Sequence, residues 1–446
     1  MKVIIIGAVA AGMSTAAKLK RNIGDDVEIR VYEKGDEVSY GACGLPFYIS
    51  NVIKEADDLF AKPISQFEAS GIALCIHHEV LKVDEKQKKL TIKNLENDEV
   101  FEDSYDYLVV GSGARRRRLG LFGEDSDNVL GVHSVYEAKK IKQFLQKDEV
   151  QDVVIIGGGF VGMEMLEACK HYGKNVYVIE SNKQIFTSVD EDIAMQMMDI
   201  IKEQHIHVLL ETKVQKIQAS NNFVHTLVYE QKGKHYELHV DLIISAIGSI
   251  PNTEFLSSVD KLENGAVLVR DTMQTSDPFI YAAGDCSVMK SAITQTYRYA
   301  PLGTNANKQG KIIADVLAKK KSKPFKLLHS TALKLFDYNV AKIGISKRDA
   351  VHLDCDIEDH SVVANAYASY YGKEKLMIKV SYNVHSRVIV GVQCIGKGSV
   401  VERANYYVIA IYSGLTLDEM GMMDLAYSPP FGGVWDAALI AANAVK

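Results

Sequence analysis

Paired cysteines are the most informative absence in this sequence. Six cysteines, at positions 43, 75, 169, 286, 355 and 394, are scattered over 446 residues and form no CxxC pair or metal-ligand spacing. This pattern predicts reduced thiols, a cytoplasmic protein and no metal site. A lone cysteine is most often a buried small hydrophobe, and we expect all of them except Cys43 to be buried in that way.

Long apolar runs and an excess of positive charge are also absent. The apolar run at residues 3–6 is far shorter than a signal-peptide core or a membrane span, and no later run is long enough. The formal net charge of −6 gives no reason to expect nucleic acid as a partner. The sequence therefore predicts a globular protein without membrane or nucleic-acid partners, long enough for roughly two to three domains.

One cysteine stands in a distinctive loop. The segment SYGACGLPFYIS covers residues 39–50 and places Cys43 between glycines, soon after a predicted strand that ends in Glu33. A reductase that works through an internal disulfide needs a second cysteine in this loop, commonly at the position that Tyr48 holds here. If Cys43 is a redox centre, it must pair with something outside its own loop.

A nucleotide-binding pattern opens the chain. Residues 3–6 predict a short buried strand, GAVAAG at residues 7–12 turns it into a helix, and a second strand over 27–32 ends at Glu33. This is a Rossmann-type unit, in which Gly7 and Gly12 let the backbone approach a pyrophosphate and Glu33 accepts from a ribose hydroxyl. Val9 replaces the middle glycine of the GxGxxG motif, so the prediction depends on the whole βαβ pattern.

The same pattern recurs with a complete motif. An apolar run at 153–156 leads into GGGFVG at 157–162, and the strand over 175–179 ends at Glu180. Two such units predict two dinucleotides, although one working site and one decayed copy is the alternative. A carboxylate at Glu180 accepts from the 2′-hydroxyl of NADH and repels the 2′-phosphate of NADPH, so the sequence favours NADH and leaves NADPH open because lysines lie nearby.

These motifs, the AAGDC turn at 282–286 and a third α/β segment resemble the FAD-dependent pyridine nucleotide–disulfide oxidoreductases over the whole chain. The single cysteine of SYGACGLPFYIS resembles the branch of coenzyme A disulfide reductases and NADH oxidases. The resemblance implies an α/β fold of two Rossmann-like dinucleotide-binding domains and a C-terminal α+β dimerisation domain. It places a discontinuous FAD-binding domain at 1–112 and 249–323, an NAD(P)H-binding domain at 113–248 and the dimerisation domain at 324–446.

The resemblance also implies the cofactor contacts. FAD would be bound by Gly7, Gly12, Glu33, Lys34, Asp285 and Leu302. NADH would lie along Gly157, Gly159 and Gly162, with Glu180 on its adenosine ribose and Glu164 near its nicotinamide. Phe160 matches an aromatic gate that covers the flavin, with a helix-packing aromatic as an equal alternative.

A catalytic scheme follows from the same resemblance. Cys43 would form a mixed disulfide with coenzyme A, which requires a thiolate and therefore a lowered thiol pKa. Tyr427 and Tyr370, with Tyr371 open in place of the latter, would reach across a homodimer interface to protonate the departing thiolate. The substrate, a small-molecule disulfide, would also contact Lys18, Arg21 and Ser39, although both cations are equally well explained as ordinary helix charges.

Other acceptors remain open at this stage. The oxidase and peroxidase members carry a histidine in the first glycine turn, where this sequence has alanines, and this difference favours disulfide reduction. The alternatives are an NADH oxidase that works through a Cys43 sulfenate, a polysulfide reductase, and a non-catalytic redox sensor. Four arginines at 115–118 are predicted to be a solvated turn, with an anion site as the alternative.

Overall fold

The computed structural model describes residues 1–323, 325–353 and 355–445. Within them the chain forms three five-stranded sheets, two parallel and one antiparallel, and several smaller sheets. Pro324 and Lys446, the first and last residues of the predicted dimerisation domain, lie outside the described residues.

The first part of the chain forms most of the first parallel sheet. Its elements are β1 (Lys2–Ile6), α1 (Ala10–Ile23), β2 (Glu28–Tyr32), α2 (Leu45–Ile49), α3 (Ile64–Glu68), β3 (Ile72–Cys75), β4 (His78–Asp84), β5 (Lys89–Asn94), β6 (Val100–Ser104) and β7 (Tyr107–Val110). β1 lies between β2 and β7 and is buried along nearly its whole length. Burial on both faces is why this strand has a continuous apolar run instead of an alternating one.

The second part repeats the arrangement. Its elements are β8 (Ala114–Arg116), β9 (Val129–Leu130), α4 (Val135–Leu145), β10 (Asp152–Ile156), α5 (Phe160–His171), β11 (Asn175–Ile179), α6 (Glu191–Glu203), β12 (His207–Leu209), β13 (Thr212–Ser220), β14 (Phe223–Gln231), β15 (Lys234–His239), β16 (Leu242–Ser245) and β17 (Ser249–Pro251). The parallel sheet has the order β12-β11-β10-β16-β9, and β13 to β15 form a separate antiparallel sheet. β8 pairs with β17 as a two-stranded ribbon where the chain enters and leaves this unit.

The chain then returns to the first sheet. Its elements here are β18 (Val267–Leu268), β19 (Ile280–Ala282), β20 (Ser287–Val288) and α7 (Gly303–Leu317). β19 pairs in parallel with β7, so residues far apart in sequence complete one sheet. α7 packs closely against α1, since the hydroxyl of Thr15 donates to the carbonyl of Gly310 at 3.1 Å and a side chain on Gly310 would overlap the backbone of Ala11.

The last part forms an antiparallel sheet with the order β21-β22-β25-β24-β23. Its elements are β21 (Thr331–Leu335), β22 (Tyr338–Gly344), β23 (Ile357–Asn365), β24 (Lys375–Asn383), β25 (Ile389–Gly396), α8 (Val400–Ser413), α9 (Leu417–Gly421) and α10 (Ala437–Asn443). α8 and α10 pack on the sheet, while α5 and α6 of the second unit also contact it. The second unit and the C-terminal unit are therefore in direct contact.

This architecture confirms the predicted fold class. The domain boundaries at 112, 248 and 323 stay predictions. No helix within 1–323, 325–353 and 355–445 combines the length and the apolar character that a membrane crossing would require.

Candidate active site

The first glycine turn needs glycine at two positions. Gly7 has a φ of +96°, and a Cβ there would overlap the carbonyl group of Gly111. A Cβ on Gly12 would overlap the carbonyl oxygen of Gly7, so this glycine allows α1 to pack against β1. Val9 is the residue before α1 and has a φ of −103°, so the backbone does not demand glycine there.

Glu33 closes this turn. The amide of Ala8 donates to its Oε2 at 2.7 Å, and the amide of Gly35 donates to its Oε1 at 2.8 Å. The carboxylate therefore stands at the end of β2 beside the glycine turn, where a ribose would approach. Lys34 points to solvent and pairs with Glu79 at 2.6 Å, and its predicted FAD contact stays a prediction.

The second glycine turn has an open position in its middle. Gly157 has a φ of +105°, and a Cβ on Gly162 would overlap the carbonyl oxygen of Gly157. A Cβ on Gly159 would meet nothing within 4 Å. This open space at the start of α5 is what close approach of a pyrophosphate requires.

Glu180 is buried at the end of β11. The amide of Gly158 donates to its Oε2 at 2.8 Å, and the amide of Asn182 donates to its Oε1 at 2.8 Å. Like Glu33, this carboxylate stands beside a glycine turn. Both turns therefore fit a dinucleotide, and the individual contacts of Glu180 and Glu33 with ribose stay predictions.

Phe160 is the first residue of α5 and is partly buried. Its ring packs edge-on against the ring of Phe186, with 4.5 Å between the centroids and an interplanar angle of 71°. This contact supports the interpretation of Phe160 as a packing aromatic and leaves its role as a gate a prediction.

Cys43 lies in a short 3₁₀ turn, Ala42–Gly44, that leads directly into α2. The turn is anchored to the first nucleotide unit because the amide of Ser39, at a φ of +55°, donates to the carbonyl of Ala8 at 2.8 Å. α2 contacts α4 and α5, and the hydroxyl of Tyr172 donates to the carbonyl of Ile49 at 3.0 Å. The cysteine is thus held where the two nucleotide units meet. Ser39 serves this anchoring, and its predicted contact with substrate stays a prediction.

The thiol of Cys43 has an acidic environment. The residue is exposed at the chain surface, but its sulfur is surrounded closely enough that burial raises the thiol pKa. The charges of Glu164 and Asp285 raise this pKa further, while the amide of Gly303 at the start of α7 donates to the sulfur and lowers it. The expected lowering of the thiol pKa is therefore wrong for this chain, because two carboxylates and burial outweigh the amide.

Glu164 and Asp285 are the two carboxylates whose charges act on this thiol. Burial raises the pKa of Glu164 to about 7 and raises the pKa of Asp285 as well. Among the described residues, no hydrogen-bond donor is recorded for either carboxylate. Both residues are partly buried, so their carboxylate oxygens are free to accept from polar groups of a bound cofactor. Their predicted places, on the ribityl chain of FAD and near nicotinamide, stay predictions.

Gly303 lies beside the thiol of Cys43, although no sequence motif pointed to it. A Cβ on Gly303 would lie 3.6 Å from the sulfur of Cys43. Leu302, the preceding residue, is the N-cap of α7, and its predicted contact with FAD stays a prediction. A glycine at the start of α7 was the only sequence feature that marked this position. Its contact with Cys43 could not be predicted because the two residues are far apart in sequence.

The position of a second redox cysteine is occupied by packing. Tyr48 is largely buried, and the ammonium group of Lys142 lies 4.0 Å from the centroid of its ring. The other cysteines are free thiols, and three of them are buried as predicted: Cys169, Cys286 and Cys394. Cys75 is only partly buried and Cys355 is exposed in the loop before β23, so the prediction of burial is wrong for these two.

Tyr370 and Tyr427 come together although they are far apart in sequence. Their hydroxyl oxygens are 3.2 Å apart, and the residues are 78% and 46% exposed. The hydrogen bond with Tyr370 raises the pKa of Tyr427. Tyr371 instead packs its ring against Tyr367, with 6.1 Å between centroids. The geometry therefore groups Tyr370, and not Tyr371, with Tyr427.

The two predicted substrate cations differ in their availability. Lys18 pairs with Asp315 of α7 at 2.5 Å, so its charge already has a partner within the fold. Arg21 is exposed near the end of α1, and no side-chain partner is recorded for it in the described part of the chain. Contact of either residue with a substrate stays a prediction.

The arginines at 115–118 mostly belong to contacts within the chain. Arg115 pairs with Glu254 at 2.5 Å and Arg118 pairs with Asp125 at 2.5 Å. Arg117 is exposed, with no recorded side-chain partner in residues 1–323, 325–353 and 355–445. The alternative of an anion site therefore rests on Arg117.

Three residues could offer ligands to a metal ion. Atoms of Asp152, His239 and Asp241 lie within 4.8 Å of one another at the edge of the second unit. However, Oδ2 of Asp241 accepts from the amides of Gln151 and Asp152 at 2.7 and 2.9 Å. This cluster thus has a structural explanation in its backbone hydrogen bonds.

Comparison with known proteins agrees with this geometry. The family model described as "Pyridine nucleotide-disulphide oxidoreductase" matches residues 1–310. The model for the dimerisation domain of the same family matches residues 330–439. A coenzyme A disulfide reductase of Staphylococcus haemolyticus is 30% identical over 441 residues, covering 96% of each chain. An NADH oxidase of Methanocaldococcus jannaschii is 31% identical over 447 residues, covering 99% of this chain and 98% of the other.

A solved structure shares the whole architecture. The NAD-dependent persulfide reductase from A. fulgidus is 30% identical with a TM-score of 0.93, and the match covers 100% of this chain and 83% of that one. Relatives named for three different activities thus match this chain over nearly its full length. The chain belongs to the pyridine nucleotide-disulphide oxidoreductases.

Proposed function

We propose that this flavoprotein is an NADH-dependent coenzyme A disulfide reductase with Cys43 as its redox centre. The observation that carries the proposal is the position of Cys43, a free thiol without a cysteine partner, at the meeting point of both nucleotide units. Because Tyr48 occupies the second cysteine position, the other half of the working disulfide comes from the substrate.

Family membership implies FAD and NAD(P)H as cofactors. The first glycine turn with Glu33 would hold FAD, and the second turn with Glu180 would hold NADH. FAD, when bound, accepts a hydride from reduced nicotinamide and supplies electrons to sulfur. The protein contributes the positions of the reacting groups and their protons.

The sulfur chemistry balances with Cys43 alone. The Cys43 thiolate attacks coenzyme A disulfide, so the substrate S–S bond breaks, a Cys43–coenzyme A disulfide forms, and the first thiolate leaves with one proton. Two electrons and a second proton then cleave the mixed disulfide. This cleavage releases the second coenzyme A thiol and restores the Cys43 thiolate.

One group beside the sulfur and one pair of hydroxyls from the other subunit would handle the protons. Glu164 has a pKa of about 7 and can hold a proton beside Cys43 near neutral pH. The paired hydroxyls of Tyr370 and Tyr427 lie on the exposed face of the C-terminal unit. In a homodimer this pair would reach the Cys43 of the other subunit and donate to a departing thiolate.

An NADH oxidase is the second candidate. It is favoured by the 31% identity to the M. jannaschii protein. Against it stands the first glycine turn, where Ala8, Ala10 and Ala11 offer no proton donor to a Cys43 sulfenate. A persulfide or polysulfide reductase shares the same sulfur chemistry and differs only in its acceptor.

The mass of the purified protein under non-reducing conditions tests the proposal. We expect an adduct of the mass of coenzyme A on Cys43 that dithiothreitol removes. The Cys43→Ser variant should lose NADH oxidation with coenzyme A disulfide and retain FAD, while Cys355→Ser, which changes another exposed cysteine, should keep full activity. An oxygenated Cys43, together with oxygen uptake that matches NADH consumption, would establish the oxidase instead.

A further inference from the structure

The segment 186–190, which we name the Phe186 strap, lies between the second glycine turn and the C-terminal unit. Phe186 has a φ of +48°, which is uncommon for an aromatic residue. Its amide donates to the carbonyl of Gly158 in the glycine turn at 2.7 Å, and its buried ring packs on Phe160. The strap therefore contacts the predicted NADH site through both backbone and side chain.

The C-terminal unit holds three consecutive carbonyls of this strap. The guanidinium group of Arg348 donates to Val189 at 2.7 Å and to Thr187 at 3.0 Å. The ammonium group of Lys342 donates to Ser188 at 2.7 Å. Hydrogen bonds from charged donors are stronger than neutral ones, so these residues fix the strap backbone from outside the nucleotide unit.

Asp190 ends the strap in a buried network. Its amide donates to Oε1 of Gln393 at 2.8 Å, and its carboxylate accepts from Ser346 at 2.9 Å and pairs with Lys379 at 2.9 Å. Burial alone would raise the pKa of Asp190, but these contacts hold it below its ordinary value. All of these partners belong to the C-terminal unit.

Such a network is costly unless its geometry is well satisfied. Lys342 is buried, which lowers the pKa of its ammonium group, and Asp349 at 2.6 Å compensates its charge. Apolar packing would join two units with less desolvation. The polar network does something that apolar packing does less well, because it holds the carbonyls of a segment whose first residue, Phe186, has a positive φ.

We propose that Arg348 is a positioning residue for NADH, acting through the Phe186 strap on the glycine turn and on Phe160. This inference rests on the proposed NADH site and is independent of the disulfide acceptor. With the strap held, the Phe186 amide keeps the Gly158 carbonyl in place before NADH arrives. When the strap is not held, the binding of NADH has to order the second glycine turn, and this cost weakens the affinity for NADH.

The Arg348→Met variant tests this with two measurements on the FAD-loaded enzyme. Calorimetric titration with NAD⁺ should give a Kd raised roughly threefold to tenfold. Hydrogen exchange of the peptide that covers the strap should be faster without any nucleotide, because the Phe186 amide is less protected. The KM for NADH should rise by the same factor as the Kd, while kcat stays within about twofold.

Matched variants separate positioning from general stability. Lys347→Met alters the neighbouring cation, which pairs with Glu358 at 2.6 Å and does not contact the strap, and it should leave both measurements unchanged. Arg348→Lys keeps the charge without the two-pronged contact and should restore part of the NAD⁺ affinity. In a Phe186→Leu background, Arg348→Met should change the Kd for NAD⁺ by a smaller factor, because Arg348 acts on the glycine turn through Phe186.

An unchanged Kd and unchanged exchange in Arg348→Met would overturn the inference, as would full additivity with Phe186→Leu. If Arg348→Met does not fold, Arg348→Lys and Phe186→Leu decide by the same two measurements. NAD⁺ binding and exchange require no disulfide. Suppose the enzyme is inactive on coenzyme A disulfide, yet Arg348→Met raises the Kd for NAD⁺ and the exchange rate as expected. That result would refute the proposed acceptor and leave the inference about Arg348 standing.

Discussion

At the scale of single residues, the environment of Cys43 decides how it reacts. Burial, Glu164 and Asp285 all raise its thiol pKa, and the Gly303 amide opposes them. The fraction of thiolate therefore rises with pH across the neutral range, and attack on a disulfide should accelerate accordingly. A cationic site would instead lower the thiol pKa, so that Cys43 would already be largely thiolate at neutral pH.

Substitution of Glu164 tests how far this carboxylate raises the pKa of the Cys43 thiol. Because its own pKa is about 7, it is mainly a carboxylate above neutral pH and disfavours the Cys43 thiolate there. Glu164→Gln should lower the thiol pKa and raise the rate of Cys43 alkylation by iodoacetamide at pH 8 by roughly twofold to fivefold. Glu167→Gln, on the same helix but paired with Lys334, should leave the alkylation rate unchanged. A rate that falls in Glu164→Gln would contradict this electrostatic account.

The proposed role of Tyr427 as a proton donor can be tested by a single substitution. Tyr427→Phe removes the hydroxyl that pairs with Tyr370 while keeping the ring. We expect kcat with coenzyme A disulfide to fall by about tenfold or more, since the departing thiolate loses its donor, and FAD content to stay constant. Tyr371→Phe is the control because the Tyr371 ring packs on Tyr367. Equal rates for both variants would remove Tyr427 from the mechanism.

At the scale of elements, the two glycine turns show how similar motifs tolerate different residues. Gly12 and Gly162 are both required by helix–strand packing, since each Cβ would overlap a backbone carbonyl. The middle positions differ, with Val9 in the first turn and the open Gly159 in the second. A consensus motif treats both middle positions alike, whereas the backbone angles show that neither position requires glycine for its conformation.

Gly159→Ala tests the open position of the second turn. The added methyl group meets nothing within 4 Å in the protein, so the fold and FAD content should be unchanged. The methyl group would stand where a pyrophosphate approaches, and the KM for NADH should rise by roughly threefold or more. Gly35→Ala, whose nearest neighbour is the Glu33 carboxylate at 3.6 Å, is the control in the other unit and should leave this KM unchanged. An unaffected KM in Gly159→Ala would place NADH elsewhere.

At the scale of the whole molecule, the C-terminal unit presents an apolar face that the described chain leaves uncovered. Its exposed large side chains include Tyr370, Tyr371, Met422, Tyr427, Phe431, Val434 and Trp435. Several large apolar side chains exposed on one unit are typical of an association surface, and residues 330–439 match a dimerisation domain. These observations support a homodimer, and the proposed reach of the tyrosine pair into the other subunit is the finer hypothesis.

Mixed dimers separate a shared site from a self-contained one. A dimer of one Cys43→Ser chain and one Tyr427→Phe chain contains one complete site if the two residues come from different subunits, and none if they come from the same subunit. Random reassociation of equal amounts should therefore restore about a quarter of wild-type activity, given twofold symmetry. The two variants mixed without reassociation provide the baseline, and no gain above it would place Tyr427 beside the Cys43 of its own chain.

The local pattern of the sequence was sufficient for the fold class and the two Rossmann-like units, and it is also the basis of the prediction that Cys43 is the redox centre. Each of these is encoded by residues close together in the chain, such as an apolar run, a glycine turn and a terminal acid. Family membership followed from the same motifs and was confirmed by the comparisons. These features depend on backbone conformation and periodicity, which neighbouring residues determine.

Only the tertiary structure decided how distant residues act on one another. It paired Lys18 with Asp315, grouped Tyr370 with Tyr427, and brought Glu164, Asp285 and the Gly303 amide to the sulfur of Cys43. It also tied the Phe186 strap to the C-terminal unit. Partners separated by 57 to 297 residues meet only through tertiary packing. The pKa of a thiol depends on that packing more than on its neighbours in sequence.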